Sequence, residues 1–384
     1  MFSTNIKKIV IISTLVTFII SCEKQVTSNQ KKDAALLTRV EMLKKKPTVP
    51  LTNNVHVFAE GLYNPRGLKF GPDGNLYVAE GGTGGSVSTI GQCEQVPFPV
   101  GPYLGSATGG GVSKITPAGV RTVITNKLPS SQANEIIGGD VEGVSDVEFV
   151  GNTLYALLAG AGCSHGVASM PNGIVRMNSD GSWTMIANLS AFYQSHPVAQ
   201  PEEDDFEPDG TPYSMINVRG DLYVVEPNHG ELDKVTTDGQ VSRVVDISAS
   251  QGHIVPTTIA YHGNFFVGNL STFPIAGGAS KILKITPSGE LKDWVTGLNT
   301  VLGLVMDKGN QMYVLEMTAG APFPMPGLGR VLRIDSNGNK TVIASGLSLP
   351  TAMTMGPDGK LYVSNWGFSP MANGGGQILQ IDVH

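Results

Sequence analysis

A chain of 384 residues with 48 Gly, 24 Pro and only 15% charged residues suits many short strands joined by turns, and it excludes a long-helix protein. Its 41% hydrophobic content is enough to form buried cores and excludes global disorder. Residues 51–384 carry 17 Lys and Arg against 29 Asp and Glu, a net charge of −12, which argues against nucleic acid as a partner because phosphate binding needs clustered cations.

At the N-terminus, Lys7 and Lys8 precede a mostly apolar run over residues 9–20, too short for a comfortable membrane span. The run ends in Ile19, Ile20, Ser21 and Cys22. Two bulky aliphatics, a small residue and Cys resemble the lipobox cleaved by lipoprotein signal peptidase. The expectation is a signal peptide over 1–21, a lipidated Cys22 and a polar, lysine-bearing tether over 22–50. The protein would then be anchored to a membrane of the bacterial cell envelope, periplasmic or surface-exposed. The alternative is an ordinary signal peptide with an incidental Cys.

Beyond residue 50 one phrase recurs: an apolar strand, a tight turn and an aromatic-bearing strand. Its clearest copies are residues 67–80 (GLKFGPDGNLYVAE) and 352–365 (AMTMGPDGKLYVSN). Weaker copies centre on Leu154 and Tyr155, Leu222 and Tyr223, Phe265 and Phe266, and Met312 and Tyr313, making six. A third strand follows each, as in 111–119 (GVSKITPAG), 173–181 (GIVRMNSDG) and 280–289 (SKILKITPSG), and then a fourth. Four antiparallel strands per repeat, with Asp-Gly and Asn-Gly hairpin turns, predict an all-β six-bladed propeller over 51–384. The last repeat stops after its third strand, and the phrase at 55–62 (VHVFAEGL) matches the fourth-strand phrases at 341–347 and 292–298. An N-terminal strand at about 55–60 should therefore complete the last blade and close the ring, removing sheet edges.

In a four-stranded meander a–b–c–d, the b–c and d–a connections share one face. Every long segment falls there: the b–c loops lie at roughly 81–110, 159–172, 227–230, 270–279, 317–328 and 366–375, and a long d–a connection at about 190–212. Long loops on a rigid scaffold carry function, so this face is the candidate. The ends of the b strands point to the same side, at Glu80, Leu158, Glu226, Asn269, Glu316 and Asn365, and five of these six offer an oxygen ligand. A ring of such groups would suit calcium or supply a general base. The bland alternative is carboxylates and amides bordering water. His165, His196, His229 and His253 map to the same face, beside an acidic run that includes Asp204 and Asp205. These groups would suit a second site, for a transition metal; the alternative is solvated loop histidines, since no ligand spacing marks a site. Cys93 and Cys163 fall in b–c loops of adjacent blades; an oxidising compartment favours a disulfide over two free thiols.

The repeat phrase resembles NHL-type and gluconolactonase-like six-bladed propellers. Residues 254–261 (IVPTTIAY), 267–274 (VGNLSTFP), 314–317 (VLEM) with 322–324 (PFP), and 361–368 (LYVSNWGF) resemble the ScyD/ScyE family, named for proteins encoded with scytonemin biosynthesis genes. The resemblance covers about residues 55–383 and implies an exported propeller without established catalytic residues. Two functions follow as expectations. One is a binding or scaffold module that presents the loop-rich face to a protein, glycan or small molecule. The other is a calcium-dependent hydrolase or lactonase using Glu80, Glu226, Asn269, Glu316 and Asn365, with Leu158 breaking the ring. A quinone-dependent dehydrogenase would need a basic cluster at the channel, where the sequence reads acidic.

Overall fold

Each repeat phrase folds back at a left-handed turn residue, which is a glycine in five repeats and Asn310 in the fifth, because a Cβ makes that backbone angle costly. In the first repeat, Gly74 has φ +76° and the Gly71 N–H donates to the Asn75 carbonyl at 2.8 Å; Gly359 plays the same part in the last repeat at φ +77°. In the computed structural model, residues 41, 49–137, 140–201, 206–368 and 374–383 are described. Cys22, residues 1–21 and nearly all of the tether, and Asp204 with Asp205, lie outside them.

The architecture is a six-bladed β-propeller of antiparallel sheets. Blade 1 runs through Pro65–Phe70, Leu76–Glu80, Leu104–Ile115 and Arg121–Gln132. Blade 2 holds Val144–Val150, Thr153–Leu158, Gly173–Met177 and Trp183–Asn188; blade 3 holds Ser214–Val218, Asp221–Glu226, Glu231–Val235 and Val241–Asp246. Blade 4 is Pro256–Tyr261, Phe265–Asn269, Ser280–Ile285 and Leu291–Leu298; blade 5 is Val301–Met306, Met312–Glu316, Gly329–Ile334 and Lys340–Leu347. Blade 6 supplies Ala352–Met355, Leu361–Asn365 and Gly376–Ile381, and Val55–Leu62 completes it from the other end of the chain, with Val55 opposite Ile381 and Leu62 opposite Gly376.

Cores form between blades, where the apolar face of one sheet meets the next. One joins Ala79, Val112 and Leu128 of blade 1 to Val144, Val147, Ala156 and Leu158 of blade 2. Another joins Ala59 and Leu62 of the closing strand to Leu68, Leu76 and Val78 of blade 1 and Tyr362 and Ile378 of blade 6. The innermost strands surround a central channel of about 640 Å³.

Blade 1 departs from the repeat. Its third and fourth strands are 12 residues each, so residues 104–110, expected in a loop, extend the hairpin onto the loop face. A two-residue fifth strand, Val141–Glu142, adds to its edge. The 190–212 connection opens with a helical turn in Leu189–Ser195, capped by Asn188, whose side chain accepts from the Ala191 N–H.

Candidate functional site

The five ring residues do not converge. Strand a of every blade stands between strand b and the axis, and each side chain at a b-strand end turns instead to the incoming d–a loop of its own blade. Arg121 Nη2 donates to both Glu80 oxygens at 2.8 and 2.9 Å, and the Tyr63 N–H donates to Glu80 Oε2 at 2.7 Å. Glu316 accepts from Arg330 Nε at 2.5 Å and from the Asn299 N–H at 2.8 Å. Glu226 accepts from the Thr211 and His229 N–H groups. Asn269 donates to the Ile254 carbonyl at 2.7 Å, and Asn365 accepts from the Ser348 N–H at 2.7 Å. Buried polar groups must find partners, and these find theirs in the loops that they hold down.

What the loop face does bring together lies over blades 1 to 3. Cys93 and Cys163 are joined by a disulfide, linking the 81–103 segment of blade 1 to the turn of blade 2. Backbone contact reinforces the link: a Cβ on Gly166, at φ +75°, would lie 2.3 Å from the Gly105 nitrogen, so only glycine fits. The Val87 N–H donates to the Gly105 carbonyl at 2.9 Å, and the Gly105 N–H returns the bond at 2.8 Å.

Beneath this crossing, His165 is fully buried between two carboxylates. Its Nε2 lies 3.2 Å from Glu207 Oε2 and 3.2 Å from Glu142 Oε2. Only the Glu207 oxygen is in hydrogen-bonding geometry, and Glu142 Oε2 is buried without a hydrogen bond. Tyr103 spans the pair, its hydroxyl 3.3 Å from Glu142 Oε1 and 3.3 Å from Glu207 Oε1, and its ring packs on the imidazole at 4.6 Å. On the other side, Asp209 Oδ2 accepts from the Ser164 N–H at 2.8 Å and from its hydroxyl at 2.7 Å, and Ser164 Oγ lies 3.2 Å from His165 Nδ1. Burial disfavours an imidazolium, but Glu142 and Glu207 outweigh it and hold the His165 pKa up at about 10. Among the described residues, no other group of three His, Cys, Asp or Glu side chains brings ligand atoms within 4.8 Å of one another. Beside it, Arg66 donates to the Val141 carbonyl at 2.6 Å; burial works against its charge, and Tyr213, Asp140 and Glu142 outweigh that and raise its pKa.

The other histidines divide. His229 is buried, its Nε2 3.1 Å from the Glu207 carbonyl and its ring stacked on Phe206 at 5.1 Å. With Tyr193, Gln194 and Glu94 it lines a hollow of about 210 Å³. His196 is exposed and stacks on Phe192 at 4.5 Å. His253 is half-buried before blade 4 and is not a member of the cluster. Sequence reasoning missed Glu142, Glu207 as distinct from its acidic run, Tyr103 and Asp209. Only Glu142 carried a signal, as an acid two residues before the first strand of blade 2; the contacts of the others cross between loops distant in sequence.

No family model matches the sequence, and no curated protein matches it. The fold is similar to those of solved propellers. A protein of unknown function from Bacteroides thetaiotaomicron superposes with a TM-score of 0.54 at 11% identity, over 86% of this chain and 76% of that one. A gluconolactonase from Xanthomonas campestris gives 0.51 at 11% identity, over 85% and 89%. A putative glucose dehydrogenase from Thermus thermophilus gives 0.50 at 15% identity, over 87% and 100%. At such identities the likeness concerns the fold, since one propeller scaffold hosts many chemistries.

Proposed function

We propose that this chain is an exported, lipid-anchored binding module of the bacterial cell envelope, ScyD/ScyE-like in sequence, that presents its loop-rich face to a protein, glycan or small-molecule partner. One observation carries the reading. The 81–103 segment and the start of the next strand hold Val87, Ile90, Phe98 and Leu104 in solvent at 55%, 64%, 60% and 42% exposure, although the segment is pinned by a disulfide and by backbone pairing. Large apolar groups kept rigid and wet form a surface whose ordering cost is already met before a partner arrives. The hollow lined by Phe206 and His229 lies over blades 2 and 3 on the same face. The net charge of −12 in 51–384 directs the module away from nucleic acid.

The calcium-dependent hydrolase or lactonase reading of Glu80, Glu226, Asn269, Glu316 and Asn365 is less well supported, because each of these side chains already serves its own blade. A photo-crosslinking residue placed at Phe98 in cells should trap envelope partners or ligands. The same residue at Val120, in a c–d turn on the opposite face and 59% exposed, should not. Equal labelling at both positions, or none at position 98, would remove the reading.

A further inference from the structure

We propose that Glu142, His165 and Glu207 form a binding site for one divalent transition cation, zinc or manganese, through Glu142 Oε2, His165 Nε2 and Glu207 Oε2. The site goes beyond the binding role above and does not depend on it. Geometry comes first. Two ligand atoms on a tetrahedral ion, each about 2.1 Å from the metal, lie roughly 3.4 Å apart. The imidazole nitrogen is 3.2 Å from each carboxylate oxygen, and all three ligand atoms lie within 4.8 Å of one another. Small side-chain movements would admit an ion.

The surroundings are built as a metal site's outer layer is built. The Ser164 hydroxyl donates to Asp209, so its lone pair faces His165 Nδ1; this keeps a proton on Nδ1, and the ion would take the place of the proton on Nε2, which is released to solvent, between the two carboxylates. The Tyr103 hydroxyl lies 3.3 Å from the outer oxygen of each carboxylate and shares its one proton between them, leaving their inner oxygens to the ion. Glu142 Oε2, buried and without a hydrogen bond, offers a lone pair that a cation would engage. A divalent charge neutralises the two carboxylates, removing the cost of burying them together.

Chemistry selects the ion. An imidazole beside two carboxylates favours zinc or manganese over calcium and magnesium, which take oxygen alone. The nearby sulfurs are not ligands, being bonded to each other. Three protein ligands leave positions for water or a ligand oxygen, as in sites that act rather than merely staple. Access lies on the side of Glu142, whose side chain is 18% exposed against 0% for His165 and 6% for Glu207.

The test is equilibrium dialysis of the chelator-stripped full chain against zinc and against manganese, with bound metal counted by mass spectrometry. One equivalent is expected. Glu142→Gln, at the open edge of the site, should weaken binding at least about tenfold while far-ultraviolet circular dichroism stays unchanged. His196→Gln, on the exposed histidine, should leave binding intact. Absence of a bound equivalent would leave His165 as an imidazolium between two carboxylates and overturn the proposal. So would an equivalent indifferent to Glu142→Gln. Should that variant fail to fold, cobalt added to the wild-type chain decides: visible absorption of a nitrogen- and oxygen-ligated ion of low coordination is expected, and an aqueous cobalt spectrum overturns the site.

Discussion

Three carboxylates are buried in blade 3, and one arginine acts on two of them, Glu231 and Asp233. Glu226, Glu231 and Asp233 are fully buried, and Arg243 pairs with Glu231. Blades 1 and 5 instead set one arginine against one glutamate, Glu80 with Arg121 and Glu316 with Arg330. Both oxygens of Asp233 lack hydrogen bonds; burial and the neighbouring Glu231 push its pKa well above the usual range. Burial likewise lifts Glu231 to about 7, against Arg243. On the channel wall, burial lifts Asp146 to about 7 despite the N–H groups of Met215 and Val147. A carboxyl whose folded pKa is raised binds its proton more tightly in the folded state. Its contribution to stability is therefore complete below the unfolded value of 3.8 and is lost as pH rises through about 7. Melting curves should accordingly show stability falling across that window. Asp146→Asn should remove its share of the slope, of the order of 2–4 kcal/mol, and leave the share from Glu231 and Asp233. An unchanged slope in that variant would mean that Asp146 is ionised in the folded protein.

At the scale of elements, the loop face depends on one covalent link between segments 70 residues apart in sequence. The 81–103 segment has few core contacts of its own beyond Val96 and Tyr103, which pack with Ala133 and Ile137. Replacing Cys93 and Cys163 together by Ala should cost about 2–4 kcal/mol. The damage should be local, with limited proteolysis cutting first between residues 81 and 103 while blades 3 to 6 stay protected in hydrogen exchange. Uniform loss of protection would show instead that the bridge supports the whole ring.

For the whole molecule, closure is the governing fact. Val55–Leu62 pairs with Gly376–Ile381, and Leu62 is fully buried against both blade 1 and blade 6. Leu62→Ala should cost about 2–5 kcal/mol as a core truncation. Removing residues 51–62 should do more: it exposes a sheet edge and opens the inter-blade core, so that the single cooperative transition expected of a closed ring becomes broad or multiphasic by calorimetry. A deletion that still melts in one sharp step near the wild-type temperature would refute closure as the source of cooperativity.

Much of this is legible in the sequence alone. The six repeats follow from period-2 alternation and glycine turns, which are local signals, and the closing strand follows from matching an orphan phrase to a missing one. The placement of long loops on one face follows from meander geometry alone. Other features depend on which residues meet once the ring is closed. Residues at equivalent positions in six repeats look like a ring in sequence, but Glu80, Glu226, Asn269, Glu316 and Asn365 are each second from the axis, and each is drawn aside by a backbone N–H or, for Asn269, a carbonyl in the loop of its own blade. Conversely, Glu142, His165, Glu207 and Tyr103 sit in four separate connections or strand ends with no shared spacing. Their meeting is set by the crossing of the blade 1 loop over blade 2 and by the return of the 190–212 connection. Local hydrogen bonding and turn chemistry determine the blades; desolvation and charge pairing between distant loops decide the site.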